Sequence, residues 1–203
     1  MSNAKNKHRN IRKGGHVKTV RYHDLLRAKR TQNPLSGLNP AKVRRLYELY
    51  REGKYAELLG LVGDNNTWNR SNGFHTVVDN FPGLEMVAQQ SADFDRNTAM
   101  MVMESILQAH GDIVGVFCGN DAMAMGAYQA ILAAGKAEQI KIFGFDGERD
   151  VINAIRDGKI VATGMQSPVL MARTAAEFAH RFLSGDRDFA RKIPIAVHAV
   201  TRD

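Results

Sequence analysis

Between residues 114 and 147 the chain reads as strand, turn, helix, strand and turn, and that unit limits what the rest can fold into. Val114-Gly115-Val116-Phe117 is a short apolar run with β-branched members, the pattern of a strand buried on both faces. Cys118-Gly119-Asn120-Asp121 interrupts it, and an Asn or Asp ahead of an apolar-periodic run is a helix N-cap signal. The spacing predicts a helix over 122–134, with Met123, Ala127, Ala130 and Ile131 on one side and Gly135 as its stop. Ile140-Lys141-Ile142-Phe143 is the next strand and Gly144-Phe145-Asp146-Gly147 the next polar turn. Such a βαβ unit places polar groups at the carboxyl end of each strand, the edge where open α/β sheets hold small ligands.

Elsewhere strand-like runs alternate with helix-like ones. Strands are predicted at 58–62, 84–89, 160–165 and 193–200, and helices at 67–80, 96–110, 148–157 and 168–183. Strands separated by helices of 10–15 residues predict an α/β fold, a parallel sheet with helices on both faces. Met100, Met103 and Leu107 form a stripe on the 96–110 helix that reads as core, and Asp95 is placed to cap that helix.

Charge divides the chain unevenly. Residues 1–60 hold 15 Lys/Arg and 4 Asp/Glu, a balance of +11, whereas residues 61–203 hold 13 and 17, a balance of −4. We therefore expect two parts: a basic, partly helical N-terminal segment over 1–57 and an α/β body over 58–203. Residues 1–18 read as a disordered arm with no apolar h-region, hence no secretory signal, and their Lys/Arg density suits contact with nucleic-acid phosphate. A short helix is expected over 19–30 and a clearer one from Asn39 and Pro40 onward, with Val43, Leu46, Tyr47 and Tyr50 on one face and Gly53 as its end. The link between these helices is long and holds Pro34, which makes a poor helix-turn-helix. The run Arg30-Thr31-Gln32-Asn33-Pro34-Leu35-Ser36-Gly37-Leu38-Asn39-Pro40, with the helix after it, resembles the start of Mu-like phage portal proteins over residues 27–57.

Several chemistries lack a motif. The seven His show no paired spacing for a metal, and the turns hold neither a nucleophile–base pair nor a phosphate-binding G-x-x-x-x-G-K, so no enzyme, metal or cofactor is expected. What the strand ends do carry is Asn120, Asp146 and Gln166, to which Arg70, early in a helix, and Phe94, on a turn, are added. Amide, carboxylate and guanidinium on one rim suit a ligand covered in hydroxyls, each of which donates and accepts, and an aromatic ring suits the apolar face of a sugar.

The same residues carry a resemblance. Arg70-Ser71-Asn72-Gly73-Phe74, Ala92-Asp93-Phe94-Asp95-Arg96, the run from Gly119-Asn120-Asp121 to Gly126, Gly144-Phe145-Asp146-Gly147, and the run from Ala162 to Gln166-Ser167-Pro168 occur in an order and spacing similar to the C-terminal part of type 1 periplasmic sugar-binding proteins, the ribose-binding group. The resemblance implies that Arg70, Asn120, Asp146 and Gln166 hydrogen-bond a monosaccharide while Phe94 stacks on it. It also implies an ABC-transporter partner, a membrane permease, and a periplasmic location; the missing h-region makes a cytoplasmic one the alternative. In that family two lobes close over the ligand, and only 57 residues precede the matching region, so a single lobe is expected. The helix over 168–183 would pack on the absent lobe, and its Met171, Ala175, Phe178, Ala179 and Phe182 face would be covered by the helix starting at Asn39 or by a second copy in a homodimer. The leading reading is a truncated monosaccharide-binding module; the alternatives are a sugar-responsive DNA-binding regulator of the lac-repressor type and a phage portal-related structural protein.

Overall fold

The computed structural model describes residues 52–190 and 193–202. Its elements run β1 (Glu52–Leu59), α1 (Asn65–Val78), β2 (Gly83–Ser91), α2 (Arg96–Ala109), β3 (Ile113–Cys118), α3 (Asp121–Ala133), β4 (Lys141–Asp146), α4 (Arg149–Arg156), β5 (Ala162–Met165), α5 (Pro168–Leu183) and β6 (His198–Thr201). The strands form one sheet in the order β2-β1-β3-β4-β5-β6, parallel through β5 and closed by an antiparallel edge strand, β6.

The strand order reverses direction at β1. The chain steps outward from β1 to β2, then crosses back to β3 and continues through β4 to β5. With right-handed crossovers, this puts α1 on one face and α2, α3 and α4 on the other. The burial pattern agrees. Ala56 and Leu58 of β1 join Met103, Ile106, Val116, Met123, Ile131, Ile142 and Ile155 in one core on the α2–α4 face. A fully buried aliphatic side chain of this kind contributes about 1.5–3 kcal/mol. On the other face Phe74 of α1 stacks on Phe117 at 4.4 Å and meets Tyr55 edge-on at 5.6 Å. Gly126 sets how near α2 and α3 come, since a Cβ there would overlap the Arg96 carbonyl.

Capping follows the sequence. Asn120 accepts from the Met123 amide and Asp95 from the Thr98 amide, while Asp64 caps α1. Gly135 takes φ 69°, the left-handed turn that ends α3. Met103 is buried, with Met100 and Leu107 packed against the core, so that stripe is core as expected.

Several boundaries differ. The first strand, expected at 58–62, runs Glu52–Leu59, and Leu61 and Val62 lie exposed in the turn beyond it. The apolar run there belongs to the end of the strand, whose body carries Glu52, Lys54 and Glu57. Gly53, expected to end a helix, lies inside β1 at φ 137°, against Val114. A division between residues 57 and 58 would cut this strand. The last strand, expected at 193–200, is the short β6. The phosphate-contacting arm, the helix over 19–30 and most of the helix beginning at Asn39 lie outside the described residues. No residue of α5 is buried; Val169, Leu170, Met171, Phe182 and Leu183 are exposed. Its expected inner face is covered only in part, by the turn after it: Phe189 meets Phe178 at 5.4 Å and Arg187 lies 4.2 Å from the Phe182 ring.

Candidate functional site

Loops after β1 and β3 leave the sheet toward opposite faces, so the topological switch point, where open α/β sheets hold their ligands, lies between them at the carboxyl edge. All five residues singled out from the sequence stand on this edge, on Asp146 at the end of β4, on the turns after β2, β3 and β5, and on the second turn of α1. Asp146 is the centre. Its Oδ1 accepts from Arg70 Nη2 at 2.7 Å and from Gln166 Nε2 at 2.7 Å. Arg70 also donates through Nη1 to the Gly119 carbonyl at 2.7 Å, which ties α1 to the β3–α3 turn. Its guanidinium lies 4.3 Å from the Phe145 ring centroid and 5.7 Å from that of Phe94, so the cation is held between two π faces.

Asn120 completes the rim in a second way. Its Oδ1 accepts from Met123 N at 2.9 Å, and its Nδ2 donates to the Phe94 carbonyl at 3.2 Å. The same side chain therefore caps α3 and tethers the Phe94 turn. Phe94 rests its ring against Gly60, where a Cβ would overlap the ring. Ser91 fastens this turn by donating to the Gly60 carbonyl at 2.7 Å.

Backbone strain collects here. The non-glycine residues with positive φ among those described are Asp93 at 54°, Phe94 at 60° and Asp146 at 128°. Each costs on the order of 1–3 kcal/mol and persists only where its surroundings over-determine it, as at sites that must hold a fixed geometry. Two of the three are residues that the sequence had singled out for a ligand.

The charges are partly shielded: the Arg70 side chain is 12% exposed and that of Asp146 26%. Behind them Asp121 is fully buried, and burial pushes its carboxyl above the ordinary carboxylate range, against the pull of bonds from Thr163, Glu148 and Gly147. Burial also pushes the Cys118 thiol up, which leaves it protonated and unreactive within the core. Among the described residues no group of three or more His, Cys, Asp or Glu is placed to hold a metal, and no helix is long and apolar enough to cross a membrane.

Sequence reasoning passed over Phe145, Gly60 and Asp121. Phe145 and Asp121 both stood in motifs given above, and the place of Phe145 on the α1 side of β4 follows from strand alternation. Gly60 and Asp121 act through contacts that only the fold creates.

The family described as periplasmic binding protein domain matches residues 39–187. The chain is 45% identical over 135 residues to the D-apiose import binding protein of Paraburkholderia graminis, covering 66% of this chain and 43% of that protein. It is 44% identical over 140 residues to the ribose import binding protein of Bacillus subtilis, covering 69% and 45%. It thus spans a little under half the length of these relatives. Among solved structures, the arabinose-transporter binding protein of a Shewanella species, bound to L-arabinofuranose, superposes with a TM-score of 0.74 at 32% identity, covering 79% of this chain and 54% of that one. A solute-binding protein of Actinobacillus succinogenes with bound D-allose gives 0.74 at 29% identity, covering 80% and 57%. These likenesses favour neither the regulator nor the portal alternative, and the family match already takes in residues 39–57 of the stretch compared with phage portals.

Proposed function

The chain belongs to the periplasmic binding protein family, and from that premise we propose that its described lobe forms one wall of a monosaccharide site that binds without chemistry. The observation that carries this is the convergence of Arg70 and Gln166 on a single oxygen of Asp146. Among the described residues the other oxygen, Oδ2, takes no hydrogen bond, and it stands at the rim ready to accept from a sugar hydroxyl. Arg70, doubly anchored, supplies further N–H groups to an oxygen of the same sugar, and charge-assisted bonds of this kind are the strong ones. Gln166 and Asn120 keep spare amide capacity beside it, and the Phe94 ring offers a flat apolar surface to the C–H face of a pyranose or furanose.

Relatives named for the import of ribose and apiose, and structural neighbours holding arabinofuranose and allose, support a five- or six-carbon monosaccharide as the substrate class. By the same kinship we assign the chain to an ABC-type sugar importer, acting in the periplasm beside a membrane permease. One wall cannot exclude water from the far side of the sugar, so the lobe alone binds weakly.

Calorimetric titration with D-ribose, D-apiose, L-arabinose and D-allose tests this. At least one sugar should release heat with the wild type, and Asp146→Ala should weaken binding by about tenfold or more. Equal heats from wild type and Asp146→Ala would remove these residues as ligands.

A further inference from the structure

Asp121 lies under the site, one residue beyond Asn120, with no exposed surface. Its Oδ2 accepts from two successive amides, Gly147 at 2.8 Å and Glu148 at 2.7 Å, and its Oδ1 accepts from the Thr163 hydroxyl at 2.7 Å. Those two amides follow Asp146 directly. Asp146 and Gly147 take φ 128° and 86°, so the chain there curls into a concavity of N–H groups of the sort that captures anions. Here the anion is the protein's own carboxylate. Gly144 makes the room, since a Cβ on it would overlap Asp121 Oδ1. Position at the first turn of α3 adds the favourable end of the helix dipole.

A buried carboxylate that satisfies three donors, two from the turn after β4 and one from within β5, is a costly device for ordinary packing. Its geometry has one direct consequence. A non-glycine residue does not hold φ 128° unaided. The bonds from Gly147 and Glu148 fix the backbone just past Asp146, and so fix where the Asp146 carboxylate points. We propose that Asp121 is the positioning residue of the site: it touches no ligand, and it sets the orientation in which Asp146 receives Arg70 and Gln166 on one oxygen and presents the other. This rests on the sugar-binding reading only for what Asp146 is presented to.

Two measurements test it. In the sugar-free wild type, hydrogen exchange at the Gly147 and Glu148 amides should be slow, as for core amides, although both residues lie at the rim. Exchange as fast as that of the open turn at Gly63 would overturn the proposal without any variant. Asp121→Asn can keep one oxygen on the two amides while its amide group donates to a turned Thr163 hydroxyl; Asp121→Ala cannot. Slow exchange of the Arg70 guanidinium protons, read by nuclear magnetic resonance, should persist in Asp121→Asn and be lost in Asp121→Ala. Sugar affinity should fall about tenfold in Asp121→Ala and stay within about threefold of wild type in Asp121→Asn. If both variants lose the Arg70 signal equally, or both keep it, Asp121 is not the positioning group. A wild type that binds no sugar would sink the sugar reading, while the Arg70 and amide exchange still decide the role of Asp121.

Discussion

Gly60 carries no side chain, and the ring of Phe94 fills the space where one would project. The atoms that a Cβ would meet are the far end of that ring, which can swing away, whereas the backbone around Gly60 is fixed by the Ser91 and Ala92 bonds to residues 60 and 59. Gly60→Ala should therefore cost little stability, under about 1 kcal/mol, because the strain is relieved by moving a partly exposed ring. It should weaken sugar binding by about tenfold, because the displaced ring no longer faces the ligand. Thermal melts and calorimetry on the same preparation check this, and a variant that loses stability but not affinity would count against the stacking role of Phe94. That Asn120, Asp146 and Gln166 share one edge of the sheet was legible beforehand because each follows an apolar strand run, where polarity has no packing use, whereas Arg70 was added from early in a helix. The roles of Gly60 and Asp121 were not legible. A glycine in a turn and an acid at a helix start have ordinary local explanations, and their further roles exist only once β1, β2, β4 and β5 stand side by side.

At the scale of elements, β1, β2 and α1 are joined by one buried carboxylate. Glu57 has no exposed surface, and its Oε2 accepts from Gln89 at 2.7 Å and pairs with His75 Nε2 at 3.0 Å. His75 reaches Asp79 through its other nitrogen at 2.8 Å. Burial, the largest influence, lowers the His75 pKa, but the bonds to Asp79 and Glu57 outweigh it together and leave the pKa above the ordinary 6.5. A histidine whose folded pKa is raised adds stability that is complete below the unfolded value and disappears as pH rises through the folded value. The wild type should thus lose stability relative to His75→Gln as pH rises from below the ordinary histidine value through the raised folded one. Urea unfolding at a series of pH values measures it; a gap that does not change with pH would show that folding leaves the His75 pKa where it is in the unfolded chain. The same carboxylate explains why β1 was misplaced from sequence. A strand with Glu at a buried position and Lys and Glu earlier breaks both the alternating and the continuous apolar pattern, which leaves Leu58–Val62 as the clearest apolar run. Strands β3 and β4, whose buried positions are apolar, were found within one to three residues at each end.

Among the described residues, α5 is the helix with no buried residue. The chain leaves the sheet after β5 and returns at β6, where His198 pairs with Met165. Both ends of that excursion lie at the edge that holds the site, so α5 stands beside that edge and not under the sheet. The family resemblance expects this helix to meet a second lobe. Its own turn shields it only at Phe178 and Phe182, where Arg181 and Arg187 lie over the rings and Phe189 packs alongside. Val169 and Leu183 are more than four-fifths exposed. Met171, Phe178 and Phe182 share one side of the helix, and the exposed Met171 and Phe182 there favour association. Sedimentation velocity should show a weight-average mass that grows with protein concentration. Met171→Ser combined with Phe182→Ser should suppress that growth at a stability cost of about 1 kcal/mol, from the lost ring contacts to Arg187 and Phe189. A wild type that stays monomeric at every concentration while binding an apolar dye strongly would show that the face is open yet does not pair with its own copy.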